Sequence, residues 1–351
     1  MAAAIAILLM MEEEQQHSLK RRILRDKSNP LELPESTFIA QYRLNKEAFV
    51  MVLDKIQPRL RSSTIPAVLQ LAATLRFVAE GAYQRSVGND ANISMARSTI
   101  SEVLTRVIKT LEHSICNQWI QLAMGASEKQ HSKDYFYNKY RIPGIIGCID
   151  GTHIKVIKPS TDEHLYFNRK GFFSMNAMIV CDSNMTIRAV DARYPGSSHD
   201  AFVWSISTVR QYFLRRYEIG DRTSRLLGDS GYGIEPFLLT PYRDPEYGSP
   251  QNTFNRAHSS ARNVIERMIG LLKSRFRCLQ GTLQYNPQKV VKIVNVCCAL
   301  HNICRCYNIE CPNIETITVS TEVYEENCEI LSHGRMQNEG QRIRNEIANA
   351  L

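Results

Sequence analysis

The sequence predicts an α/β core with a mixed sheet, preceded by a helical region. Three observations carry this. Apolar residues recur at three- and four-residue spacing in the first third of the chain, short apolar or alternating runs begin at Ile145, and two of those runs end in an aspartate. A length of 351 residues allows about two domains. Hydrophobic residues make up 44% and charged residues 22%, which excludes full-length disorder, a collagen-like chain and a coiled coil. No apolar run approaches the ~18 residues needed to span a bilayer, so no membrane span is expected.

Residues 1–36 form an N-terminal segment. Its opening, MAAAIAILLMM, has no basic residues ahead of the apolar stretch and runs into Glu12, Glu13 and Glu14. A signal peptide has the opposite charge order, so the stretch reads as a short docking helix. Without a secretory signal, the ten cysteines belong to a reducing compartment, mostly as small buried hydrophobes. Lys20, Arg21 and Arg22, with Arg25 and Lys27, read as a solvated basic face that could also aid nuclear import.

Residues 37–140 read as a helical domain. Val68, Leu71, Ala72, Leu75 and Val78 keep helical spacing, and Pro66 suits a first turn. A short helix capped by Asn92 or Ser94, then a second helix from Arg97 or Ser98 with Ile100, Val103, Leu104 and Val107 facing inward, gives a helix-turn-helix pattern. Arg97 would then reach DNA; an ordinary helical bundle is the plainer reading.

Residues 143–307 change texture. Ile145–Asp150 and Ile154–Ile157 read as strands, as do Ser174–Cys181 and Thr186–Ala192. A helix is expected from Asp200 to Phe213, a short strand at Leu226–Gly228, and helices from about Ser260 to Cys278 and from Pro287 to Cys304. Residues 308–351 are a polar, acidic tail with little to bury before a short helix at Arg342–Leu351. Charge follows these divisions. Residues 1–143 carry 19 basic and 14 acidic side chains (net +5), residues 144–310 carry 21 and 14 (net +7), and residues 311–351 carry 3 and 7 (net −4). Two basic blocks suit a polyanionic partner.

Four carboxylates carry the chemistry. Asp150 and Asp229 each end an apolar run, where ligands of α/β proteins collect and where a lone carboxylate is costly to bury without a cation. Glu266 borders the helical stripe Ile265, Met268, Ile269, Leu272 and Phe276, in a column with Arg262, Gly270, Lys273 and Arg277. An i,i+4 ion pair with Arg262 is the plainer reading. Asp200 begins a helix, where aspartate also serves as an N-cap. Acids at the end of the first strand, the start of the first helix after the sheet, the end of a later strand and a later helix make the arrangement of an RNase H-like nuclease core. The 37 positions from Asp229 to Glu266 resemble the aspartate-to-glutamate spacing of DDE recombinases.

Six blocks in order, GCIDGTHIKV, NRKGFFSMN, YPGSSHDAFVW, LLGDSGY, NVIERMIGLLKSRFRCL and CCALHNI, resemble the motif blocks of PIF/Harbinger DDE transposases. The likeness is greatest to the domesticated animal branch, the harbinger transposase-derived nucleases, and covers about Pro143 to Tyr307. It implies a DDE-superfamily endonuclease domain that hydrolyses DNA phosphodiester bonds, with Asp150, Asp229 and Glu266 catalytic and Asp200 an additional metal ligand. The cofactor implied is Mg²⁺ or Mn²⁺, as two ions ~3.5–4 Å apart, with Asp150 bridging, Asp229 on one, Glu266 on the other and Asp200 completing the shell. All-oxygen ligation suits such hard cations.

Arg169 and Lys170, in a loop between strands, and Arg262, Lys273, Arg275 and Arg277 could hold DNA phosphates. The resemblance also implies a separate Myb/SANT-like DNA-binding partner, a homo-oligomer and a nuclear location, alone or with the cytoplasm. The alternative function is a DNA-binding or scaffold protein that keeps the fold but no longer cuts. Cys297, His301 and Cys304 fall on one apolar helix and read as core packing rather than zinc ligands. His153 and His199 read as hydrogen-bonding neighbours of the acids.

Overall fold

A computed structural model describes residues 2–81, 84–88, 90, 92–311 and 334–351. Helices α1 (Ala2–Lys27), α2 (Glu35–Tyr42), α3 (Lys46–Ile56), α4 (Ala67–Glu80), α5 (Gln84–Gly88), α6 (Arg97–Leu111), α7 (Asn117–Trp119) and α8 (Ala126–Tyr140) precede the sheet. Then come β1 (Ile145–Lys155), α9 (Glu163–Tyr166), β2 (Ser174–Cys181), β3 (Ile187–Pro195), α10 (Asp200–Ile206), α11 (Thr208–Glu218), β4 (Arg225–Leu227) and β5 (Leu238–Leu239). The chain closes with α12 (Pro250–Arg275), α13 (Pro287–Cys306) and α14 (Gly334–Asn349).

The apolar opening is helical, but α1 continues through the charged residues as one 26-residue helix. Its described apolar side chains, among them Ile5, Ile7, Leu9, Met10 and Met11, are exposed rather than docked. Among the described residues, no helix is long and apolar enough to cross a membrane. In the helical region, α4 buries Leu71, Ala72, Leu75 and Val78 of the stripe that the periodicity marks but leaves Val68 half-buried and buries Leu69 beside it, and α6 buries Ile100, Val103, Leu104 and Val107 as expected. Residues 92–96 form a turn instead of a short capped helix. The amides of Ile93 and Ser94 both return to the Asp90 carbonyl, and Ser94 has φ 43°, which a helix does not accept. The short helix is α5, further upstream, and α6 begins at Arg97 with Ala96 as an N-cap that makes no side-chain bond.

The sheet order is β3-β2-β1-β4-β5, with β1–β2 and β2–β3 antiparallel and β1–β4 and β4–β5 parallel. This is the mixed α/β sheet that the strand pattern predicts, laid out as in an RNase H-like core. Two expected strands are one: β1 runs unbroken from Ile145 because β2 pairs it from Cys148↔Cys181 to Lys155↔Ser174. Pairing with β4 stops at Cys148↔Leu227, so Asp150 lies within the strand but just beyond its β4 neighbour.

Apolar layers cover both faces. Cys148, Ala177 and Ile179 meet the core shared with α12, α13 and the helical region, whereas Ile149, Met178 and Val180 pack with Trp204 and Phe213 of α10 and α11. One continuous buried cluster joins residues of both the 37–140 and 143–307 segments.

The expected helix from Asp200 is two helices, because Ser207 turns extended and its hydroxyl accepts from the Arg210 amide, starting α11 afresh. Helix α12 starts about ten residues earlier than the periodicity suggests, with Ser249 as N-cap and Pro250 in its first turn. The tail also departs from expectation: α14 is amphipathic, buries Ile343, Ile347 and Ala348, and packs on α12 and β5. Arg344 donates to the carbonyls of Thr240 (3.0 Å) and Pro241 (2.8 Å), just after β5. Gly340 lies so close to the chain at Glu235 that a Cβ there would stand 2.8 Å from the Glu235 carbonyl carbon.

Candidate active site

The four acids predicted from sequence come from four elements at one end of the sheet. Asp150 interrupts the inward row of β1 that Cys148 and Ile154 continue, which turns it toward α12. Its Oδ1 accepts from the Gly151 amide (2.9 Å), and its Oδ2 accepts from Arg262 Nη2 of α12 (2.8 Å). Arg262 Nη1 also donates to Glu266 Oε1, 3.1 Å away and one turn along. The i,i+4 ion pair is thus present, but as part of a three-residue bridge across the site.

Asp200 opens α10, yet the N-cap is His199. The Asp200 carboxylate instead accepts from Asn176 Nδ2 of β2 (2.8 Å) and lies over Gly151. A Cβ at Gly151 would fall 2.3 Å from Asp200 Oδ1, so only glycine permits this approach. Asp229, two residues beyond β4, accepts from the Gly231 amide (3.0 Å).

Burial and neighbouring charge work together here. Burial first, and then Asp229 and Asp200, push the Asp150 carboxyl up to about 7, against the pull of Arg262. Burial works against the charge of Arg262, but Asp150, Asp229 and Glu266 around it prevail and raise its pKa. The donor set is all oxygen, and Glu266 Oε2 is buried without a partner, as suits a hard divalent cation. As they stand, Asp150 and Glu266 are held by the guanidinium. Among the described residues, no three His, Cys, Asp or Glu side chains converge closely enough to hold a metal ion.

The basic residues divide. Lys273 lies beside the site, its ammonium donating to the His153 carbonyl (3.1 Å). Burial, then Lys170 and Lys155, lower its pKa to about 8. The loop carrying Arg169 and Lys170 is pinned by buried Asn168, which accepts from the Lys170 amide (2.9 Å) and donates to Ser174 Oγ (2.7 Å). Arg169 reaches the ring of His199, next to Asp200. Arg97 is exposed at the start of α6, and Arg277 is exposed beyond the end of α12. Arg275 does not face outward: it is 2% exposed and donates to the Ile309 carbonyl (2.8 Å), so it holds the chain together and offers no surface to DNA.

His153 bonds a serine of the neighbouring strand rather than one of the acids. Its Nδ1 meets Ser174 Oγ (3.1 Å), and burial with Lys170 and Lys273 lowers its pKa to about 4. His301 bonds the Met185 carbonyl (3.0 Å) within the core, and Cys297 and Cys304 are fully buried around it. Three further residues escape sequence reading. Asn176 orients Asp200 from the neighbouring strand. Tyr232 is 3% exposed, with a partnerless hydroxyl in the field of Asp200, Asp229 and Asp150. His258 is one turn before Arg262 and fixes the Leu239 carbonyl (3.2 Å) at the end of β5. The YPGSSHD and LLGDSGY blocks contain or adjoin the relevant acids, but only the fold shows which neighbours meet them.

A five-stranded mixed sheet with acids on β1, on α10, after β4 and on α12 defines a protein of the DDE class. The sequence pattern of the DDE superfamily endonuclease family matches residues 149–302. HARBI1 of Mus musculus is 36% identical over 251 residues, 70% of this chain and 70% of the relative. HARBI1 of Xenopus laevis is 32% identical over 294 residues, 83% of this chain and 82% of the relative. An ALP1-like protein of Arabidopsis thaliana is 28% identical over 247 residues, 67% of this chain and 59% of that one. The chain belongs to the HARBI1 family of harbinger transposase-derived nucleases. No solved structure matches it.

Proposed function

We propose that this protein is a divalent-metal-dependent DNA endonuclease that hydrolyses phosphodiester bonds. The observation carrying this reading is the meeting of Asp150 and Glu266, 2.8 and 3.1 Å from one arginine, with Asp200 and Asp229 close enough to act on the Asp150 carboxyl. The names of the HARBI1 relatives, which describe them as candidate nucleases, support it. Asp150, Asp229 and Glu266, with Asp200, would hold Mg²⁺ or Mn²⁺, which supplies an activated water and neutralises charge developing on the phosphate.

The chain's own residues do the rest. Asn176 and Gly151 fix Asp200, and the Gly231 amide fixes Asp229. Lys273, Lys170 and Arg169 line the approach with positive charge for the phosphates on either side of the bond to be cut. Lys273, with its lowered pKa, loses part of that charge above about pH 8. Arg97 at the start of α6 and exposed Arg277 would bind phosphates further along the duplex. A Myb/SANT-like partner, self-association and a nuclear location complete the reading.

The test is nicking of supercoiled plasmid by the purified full chain, alone and with a Myb-like protein. Nicking should require Mg²⁺ or Mn²⁺ and fall by several orders of magnitude in Asp150→Asn and Glu266→Gln. A Glu266→Gln protein that nicks at the parent rate would overturn the three-acid assignment. Retained DNA binding with no nicking by the parent under any of these conditions would favour the silent scaffold.

A further inference from the structure

Arg262 is an unexpected centre for a cluster of carboxylates. Its guanidinium is shared between Asp150 and Glu266, and all three side chains are nearly enclosed, at 14%, 16% and 15% exposure. The bridge is nevertheless incomplete. Arg262 Nε and Glu266 Oε2 are both buried without hydrogen-bond partners. The acids also stop short of the convergence a metal ion needs. A planar cation thus stands between the carboxylates, with one oxygen of Glu266 left over.

We propose that Arg262 is a resident counter-cation. It neutralises Asp150 and Glu266 while no divalent ion is present, releases them when one binds, and then turns its guanidinium to a phosphate of the bound strand. This rests on the metal-dependent reading above and adds an order of events to it. A guanidinium and a divalent ion at the same carboxylate oxygens would repel each other strongly, so they compete. DNA supplies the displaced arginine with a bidentate acceptor. It should therefore raise metal affinity, and metal should raise DNA affinity by the same factor. The pocket would stay closed to divalent ions until DNA arrives.

The experiment measures Mn²⁺ binding to the full chain by the EPR signal of free Mn²⁺, with and without a short duplex. Without DNA, Arg262→Gln should bind Mn²⁺ at least tenfold more tightly than the parent. The duplex should tighten Mn²⁺ binding by the parent about tenfold and leave Arg262→Gln nearly unchanged. Arg262→Lys keeps the charge without the fork and should lie between them, which provides a second reading if Arg262→Gln folds poorly. Asp150→Asn should abolish binding in either background. Equal Mn²⁺ affinity in the parent, Arg262→Gln and Arg262→Lys, still lost in Asp150→Asn, would overturn the counter-cation role and leave the metal reading standing. DNA that tightens Mn²⁺ binding as much in Arg262→Gln as in the parent would also overturn it. No Asp150-dependent Mn²⁺ binding in any protein would overturn the metal reading itself, and this proposal with it.

Discussion

Gly151 and Asp200 touch backbone to carboxylate: a Cβ at residue 151 would stand 2.3 Å from Asp200 Oδ1 and 2.8 Å from its Cγ. The first helix after the hairpin therefore places its acid against β1 only because the strand lacks a side chain there. Gly151→Ala should push the carboxylate away from Asn176 and cost about 1–3 kcal/mol through overpacking. Thermal melting should record that loss. Nicking should fall further than stability alone explains, since Asp200 is displaced.

Asp150 should leave a signature in the pH dependence of the metal-free protein. An aspartate titrates near 3.8 in the unfolded chain, and Asp150 near 7 in the folded one. Between those values the folded state holds the extra proton, so stability contributed by this group falls as pH rises. Relative to Asp150→Asn, the parent should therefore lose a few degrees of melting temperature between pH 4 and pH 8. Parallel melting curves across that range would contradict the buried, acid-crowded environment.

Arg275 and Arg277, two residues apart, should behave oppositely. Arg275→Ala leaves the Ile309 carbonyl unsatisfied inside the protein and should cost about 1–3 kcal/mol, without altering the salt dependence of DNA binding. Arg277→Ala should leave melting unchanged. If Arg277 contacts a phosphate, the salt slope should fall by about 1. Denaturant titration and binding at several salt concentrations separate the two effects.

Arg97 tests whether α5 and α6 meet DNA. Arg97→Ala should weaken binding and lower the salt slope by about 1, with the melting temperature unchanged. Unaltered affinity and slope would leave this pair of helices as packing elements.

Much of the site was legible because a carboxylate after an apolar run is conspicuous: Asp150 follows Ile149 and Asp229 follows Gly228. Glu266 was legible through its spacing from Asp229 and its motif block, since its place beside the α12 stripe suits an ion pair with Arg262 equally well. The partners were not, because they are set by contacts distant in sequence. Arg262 and Asp150 are separated by 112 positions, and Asn176 looks like any polar residue in a strand. Strand β5 has two residues and no period to detect. The break between α10 and α11 depends on Ser207 bonding backwards to Trp204 and forwards to Arg210, which helical spacing does not register. Arg275 was misplaced because helical spacing groups basic side chains without showing that the chain at Ile309 folds back over one of them.

Helix α14 has a consequence for how copies of this protein could associate. By packing on β5 and giving Arg344 to the Thr240 and Pro241 carbonyls, it shields the terminal strand against which a foreign strand would align. Sheet extension from one molecule to the next is blocked at that margin by the chain's own α14, which leaves β3 as the other terminal strand of the sheet. A chain cut short before Gly334 would uncover the margin along with the apolar floor beneath Ile343 and Ile347, and should clump through strand pairing while its four acids remain intact.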